Sequence, residues 1–219
     1  MPVALILMLA TVTMPDGQRL NAGDRCYTLS RGGQPVGVER QVIRPVRIGR
    51  ERGWDIVVHQ RVAAMRFDLR DHFVVRRRDL TPVSFDSRKQ GMEQVRLTYA
   101  PGRVTGWRTG KAGREAIDQP LTGATWDGNL WGPVFSALPL SVGRSLILPF
   151  FHYDQGLGEF TLKVTGDETV DGVAAWALDA GTTPDRRSTY LLAKADGRVL
   201  GVRAGPFTTA PGGDCATLG

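Results

Sequence analysis

Few residues in this chain have the types and spacing to do chemistry. Histidine occurs at His59, His72 and His152, and cysteine at Cys26 and Cys215. In "FHYDQG", His152 and Asp154 fall on one side if the segment is extended, the placement a pair of metal ligands or an acid/base pair would use. Two ligands are not a site. With no H-E-x-x-H, no C-x-x-C and no third ligand nearby, the segment reads as a solvated turn. His59 alternates to the polar face of its strand, and His72, beside Asp71, reads as part of a turn. "GRSLI" around Ser145 only partly echoes the nucleophile turn G-x-S-x-G, which is absent. "GWRTGKAGREA" holds a Gly-Lys step, but Thr105 stands where a phosphate loop needs glycine and Ala112 where it needs Ser or Thr. It reads as a polar, Gly-rich hairpin tip. The expectation is a protein that is not an enzyme and uses no cofactor or metal.

Charge points to a partner only weakly. The formal net charge is +6, yet lysine occurs only at Lys89, Lys111, Lys163 and Lys194, and every other basic residue is arginine. The runs Arg44, Arg47, Arg50, Arg52 and Arg76, Arg77, Arg78 lack the interleaved aromatics that stack bases, so nucleic acid is not an expected partner. They read as solvated strand and loop surface.

The opening "MPVALILMLATVTMPDG" has an apolar core from Val3 to Ala10, too short to span a bilayer and suited to the centre of an export signal. It lacks a basic leader and a clear cleavage pattern, so a buried first strand is the alternative. Residues 1–17 are therefore read as a signal-like segment and 18–219 as one domain. Cys26 and Cys215 lie near opposite ends of the chain; a disulfide stapling the tail to an early strand and two free buried thiols are both open.

The elements are strands. "GEFTLKVTG" sends Phe160, Leu162 and Val164 one way and Thr161, Lys163 and Thr165 the other; "QVRLTY" and "WDIVVHQR" repeat the alternation. "RGGQ", "APGR", "GDETVDG" and "ADGR" supply hairpin chemistry, the last between Tyr190 to Lys194 and Val199 to Arg203. One segment departs from this. In "TWDGNLWGPVFSALPL", Trp126, Leu130, Val134 and Leu138 recur every fourth residue, a helical stripe with Thr125 or Asp127 as N-cap, and Pro133 limits it to one or two short helices. "RSLILPFF" follows as an extended segment buried on both faces. The predicted fold is all-β with minor α: a curved antiparallel sheet forming an unclosed half-barrel, covered by one or two short helices. The space between helices and sheet either holds an apolar ligand or is filled by side chains.

"CYTLSRGGQPVGVERQVI", "RRDLTPVSFDS", "LTYAPGRVTGW", "WDGNLWGPVFSALPLSVGRSLILPFF" and "FTLKVTGDETVDGVAAWAL" together resemble a family of bacterial cell-envelope proteins of unknown function, one similar in structure to the lipoprotein-carrier (LolA-like) superfamily. The resemblance runs from about Asp24 to Gly205. It implies an exported, periplasmic protein with an unclosed β barrel and helical lid; in the carrier relatives the space under the lid takes lipoprotein acyl chains. The expected function is non-enzymatic binding of a lipid or lipoprotein acyl chain between sheet and lid. The ligand-binding candidates are Trp107, Trp126, Leu130, Trp131, Val134, Phe135, Leu138, Phe150 and Phe151, with Phe67, Phe73, Leu97 and Tyr99 as further wall. The alternative is an envelope scaffold with a filled core that docks a protein partner. A monomer, associated with a membrane peripherally at most, is expected in either case.

Overall fold

The computed structural model describes residues 13–218. Eight strands follow one another as an antiparallel meander: β1 (Gly23–Arg31), β2 (Gln34–Ile48), β3 (Glu51–Val62), β4 (Phe67–Arg76), β5 (Pro82–Lys89), β6 (Met92–Ala100), β7 (Arg103–Gly110) and β8 (Gly113–Pro120). The chain then crosses the core as a two-residue strand, β9 (Trp126–Asp127), and one helix, α1 (Trp131–Ser136). It returns as a second meander of β10 (Ser145–His152), β11 (Gly156–Val170), β12 (Val173–Thr183), β13 (Arg186–Ala193), β14 (Val199–Ala204) and β15 (Phe207–Pro211). β15 pairs antiparallel with β1, from Tyr27 opposite Pro211 to Arg31 opposite Phe207, so the two meanders join into one 15-stranded sheet. β8 and β9 are its free edges. The sheet is curved and unclosed, as expected.

Alternation decides which face is core. Phe160, Leu162 and Val164 of β11 are buried while Lys163 and Thr165 are exposed, and β3, β4, β5 and β6 send Trp54, Ile56, Phe73, Phe85, Val95 and Leu97 inward. The strong hairpin is β13–β14, where Gly197 takes φ +71° and the Asp196 carboxylate accepts from Arg198 N at 3.1 Å.

The helical stripe resolves into several elements. Trp126 lies in β9, which pairs parallel with β10 at Phe150, and only residues 131–136 are helical. Neither Thr125 nor Asp127 is the N-cap; Leu130 takes that position with no side-chain cap, while Asp127 Oδ1 accepts from Asn129 N and so shapes the turn into α1. Pro133 sits in the first turn, where its missing N–H costs nothing. Trp126, Leu130, Val134 and Leu138 are all buried. The period of four therefore reports burial here, reached by strand, turn and helix in succession.

Cys26 and Cys215 are disulfide-bonded, with Cα atoms 5.8 Å apart across 189 residues of sequence. The bridge lays the tail on the outer face of the seam, where Arg40 donates to Leu218 O and Arg61 to Thr217 O. At the other terminus, residues 1–12 of the signal-like segment lie outside the described residues. Asp16 and Gly17 are already part of the fold: Asp16 N donates to Ala137 O at 2.8 Å, and Trp54 Nε1 to Gly17 O at 2.8 Å. The domain therefore starts ahead of residue 18.

Candidate functional site

The predicted wall residues divide into three groups: a packed core that also takes in Phe73, Leu97 and Tyr99, the outward-facing Trp107, and Phe67, which lies at the far end of the strands. Trp126, Leu130, Val134, Phe135, Leu138, Phe150 and Phe151 are buried in one core, with Trp131 packed against it. Rings fill the layer under α1: Trp131 lies 4.1 Å from Phe160 and 5.4 Å from Phe150, and Phe135 lies 4.9 Å from Tyr190, centroid to centroid. Such contacts are the edge-to-face and tilted pairs of an interior. Trp107 stands apart. It faces the outer side of β7, half-buried, with the Arg114 guanidinium 3.9 Å over its ring. Leu138 borders a groove of about 620 Å³ beside α1, but Arg19, Asn21, Lys194 and Asp196 make its walls polar.

The apolar opening is at the other end of the strands. β14 starts beside α1 at Val199, which packs on the main core, and runs to Val202 and Ala204. These two, with Leu29 of β1, Val62 of β3, Phe67 of β4 and Phe207 of β15, line a cavity of about 300 Å³. Register explains why they meet. Leu29 faces Thr209, Thr209 faces Val202, and Ala204 faces Phe207, so all point to the side already occupied by Tyr27 and Tyr190. Gly37 of β2 lets the sheet curl tightly here, since a Cβ would lie 2.2 Å from Arg61 O. The rim is apolar and exposed: Met65 is 61% and Phe207 42% accessible, and Arg31 lies 5.5 Å over the Phe207 ring.

A polar layer forms the floor. Gln60 lines the cavity and its amide donates to the Glu39 carboxylate. Desolvation pushes the Glu39 carboxyl above its ordinary range, with the Gln60 bond pulling weakly the other way. Burial likewise raises the Tyr190 hydroxyl to about 12, with a smaller contribution from the Glu39 charge. The site thus offers an apolar sleeve ending on a carboxyl and an amide.

The other chemical candidates are engaged elsewhere. Ser145 and His152 stand at opposite ends of β10, seven residues or roughly 23 Å apart at the rise of a strand, so they form no dyad. Asp154 gives its carboxylate to Arg108 at 2.6 Å and its N–H to His152 Nδ1 at 3.1 Å, while burial lowers the His152 pKa. His72 is not in a turn. It lies in the middle of β4, Nδ1 2.8 Å from Asp86 and Nε2 2.9 Å from Asp55, and these two carboxylates raise its pKa. His59 keeps to the polar face but is buried, 2.8 Å from Asp68. Among the described residues, no group of three or more His, Cys, Asp or Glu is arranged to hold a metal ion.

Of the mouth, sequence reasoning named only Phe67, because the other apolar residues there sit singly along separate strands. A signal was present in Val62 and Phe67, which flank the short connection between β3 and β4. Which strand ends converge depends on the pairing of β1 with β15, a contact between the two termini of the domain.

Compared with known proteins, residues 26–213 match the family model described as a protein of unknown function, DUF3108. Among solved structures, a beta-barrel-like protein of the domain of unknown function DUF1849 from Brucella abortus is similar over 92% of this chain and 96% of its own, at 12% identity and a TM-score of 0.49. No curated protein matches the chain.

Proposed function

Because the chain belongs to the DUF3108 family, whose function is unknown, its role has to come from its own geometry, and we propose that it is a non-enzymatic periplasmic protein that binds an apolar or amphipathic ligand, a lipid or lipoprotein acyl chain, in the open mouth of the half-barrel. One observation carries this reading: an apolar, inward-facing cavity of about 300 Å³ with an exposed apolar rim at Met65 and Phe207. That volume is at the lower end of ligand pockets, which run from roughly 300 to 1,000 Å³. Burying eight methylenes would contribute roughly 6 kcal/mol before the cost of association. The Cys26–Cys215 disulfide supports an oxidising compartment, and the resemblance to lipoprotein carriers points to the same class of ligand.

The test is mass spectrometry of lipids extracted from protein purified natively out of an oxidising compartment. The expected result is a near-stoichiometric acyl species, lost in Ala204→Trp, which fills the mouth without touching the packed layer under α1. A folded protein that carries no lipid, or equal lipid in both forms, overturns the reading.

A second reading, an envelope scaffold, draws on the packed aromatic layer and on the free edge β8, where an added strand could pair. An empty mouth together with a partner lost on Ile117→Pro in β8 would favour it.

A further inference from the structure

At the end of the barrel that α1 covers, four arginines converge on one cleft. Arg76, Arg77 and Arg78 leave β4 in succession, and with Arg52 of β3, Gln18 and Glu51 they line a space of about 380 Å³. Glu51 is the one carboxylate among these lining residues. The backbone that presents them is held on both sides. Arg77 N donates to Arg52 O at 3.0 Å, Gly17 N to Arg78 O at 3.3 Å, and Leu80 N to Arg76 O at 2.9 Å. Leu80, buried at 1% exposure, takes φ +55° to close this turn.

The arginines are not equally occupied. Arg76 is paired with Glu51 at 3.3 Å and Arg78 with Asp79 at 2.8 Å. Arg77 has its guanidinium 4.7 Å over the Trp54 ring, and its Nε is shut off from solvent with no hydrogen-bond partner. With the Nε side of the fork covered, the Nη groups are the donors that Arg77 can offer to the cleft. A guanidinium fork matches the paired oxygens of a phosphate, and a ring face keeps such a fork oriented. We propose that this cleft binds the phosphate group of an anionic ligand, with Arg52 and Arg77 as its principal contacts and the Gln18 amide as a further donor. The phosphate can belong to a free anion or to a lipid headgroup; the recognition chemistry is the same. The proposal is independent of the mouth, which lies at the opposite end of the strands.

The experiment uses the full chain at low ionic strength, where exposed charge is little screened. Inorganic pyrophosphate is titrated by calorimetry while the Trp54 indole N–H is followed by NMR, and flotation compares vesicles of phosphatidylglycerol with vesicles of phosphatidylcholine. Wild type is expected to bind saturably, with the Trp54 resonance moving. Arg52→Gln, an exposed change that leaves the fold alone, and Arg77→Gln are each expected to weaken binding roughly tenfold. Pyrophosphate binding without flotation identifies a free anion, and flotation on phosphatidylglycerol that Arg52→Gln abolishes identifies a headgroup. Absence of saturable binding to either probe, or binding that Arg52→Gln leaves unchanged, overturns the proposal.

Discussion

The Tyr99 hydroxyl donates to Asp127 Oδ2 at 2.7 Å, and both side chains are cut off from water. The bond ties β6 to the edge strand β9 and gives the core a carboxyl whose pKa desolvation pushes up to about 6; Asp71, bonded to Ser87 at 2.6 Å, is raised to about 6 for the same reason. A carboxyl raised in the folded state keeps its proton where the unfolded one has lost it. Stability from this source is therefore present at low pH and lost as pH rises through about 6, by roughly 3 kcal/mol for each group. His72, raised by its carboxylates, adds in the same direction, and His152, lowered by burial, opposes it. Urea unfolding is expected to give a higher midpoint at pH 5 than at pH 7, and Asp127→Asn should shrink the difference. A wild type more stable at pH 7 would contradict this.

The Asp55–His72–Asp86 clamp makes a separate prediction, since His72 bridges β3, β4 and β5 on the outer face. Its imidazole should titrate above 6.5 by NMR, the bond to Asp86 being the largest cause. The stabilisation is complete below the unfolded value and disappears as pH climbs through the folded one. His72→Gln should remove that portion of the pH dependence, at a cost of about 1 kcal/mol near pH 6. A midpoint at or below 6.5 would show that the clamp does not hold the proton.

Phe135 and Ala204 distinguish the two ends of the barrel. Phe135 is fully buried among Trp131, Phe160 and Tyr190, so Phe135→Ala should cost about 3–5 kcal/mol and leave lipid content unchanged in the protein that remains folded. Ala204→Trp should do the reverse. Denaturation and lipid extraction on the same two variants check both, and loss of lipid with Phe135→Ala would move the site back beneath the helix.

Reduction of the Cys26–Cys215 bond, or Cys215→Ser, should lower stability by about 2–5 kcal/mol, because the bridge closes a loop of nearly the whole domain. Thermal melts with and without reductant measure it. An unchanged melt would mean that the β1–β15 pairing alone holds the seam.

Local pattern gave β11, β6 and β3 their inward residues correctly, and the Asp196–Gly197 turn was legible because few other residues suit it. Trp107 was not. In "RVTGWRTG" neither face is continuously apolar, and it is Val104, paired with Tyr99 across β6, that fixes the core side. His72 resisted for a different reason, since Asp55 and Asp86 reach it from strands 17 and 14 residues away. The mouth depended on the longest-range pairing of all. Sequence reports the period of a strand; it does not report which neighbour the strand finds.

That pairing also sets an order of events. Each meander can assemble from contacts between adjacent strands, whereas β1 and β15 have to be brought together across the whole domain. Until then the chain carries two additional open edges, and the partners of Leu29, Thr209 and Phe207 face solvent. The half-built protein is thus stickiest at the place where the finished one has its mouth. Oxidation of Cys26 with Cys215 then fastens the tail across this seam and keeps the finished edges from parting.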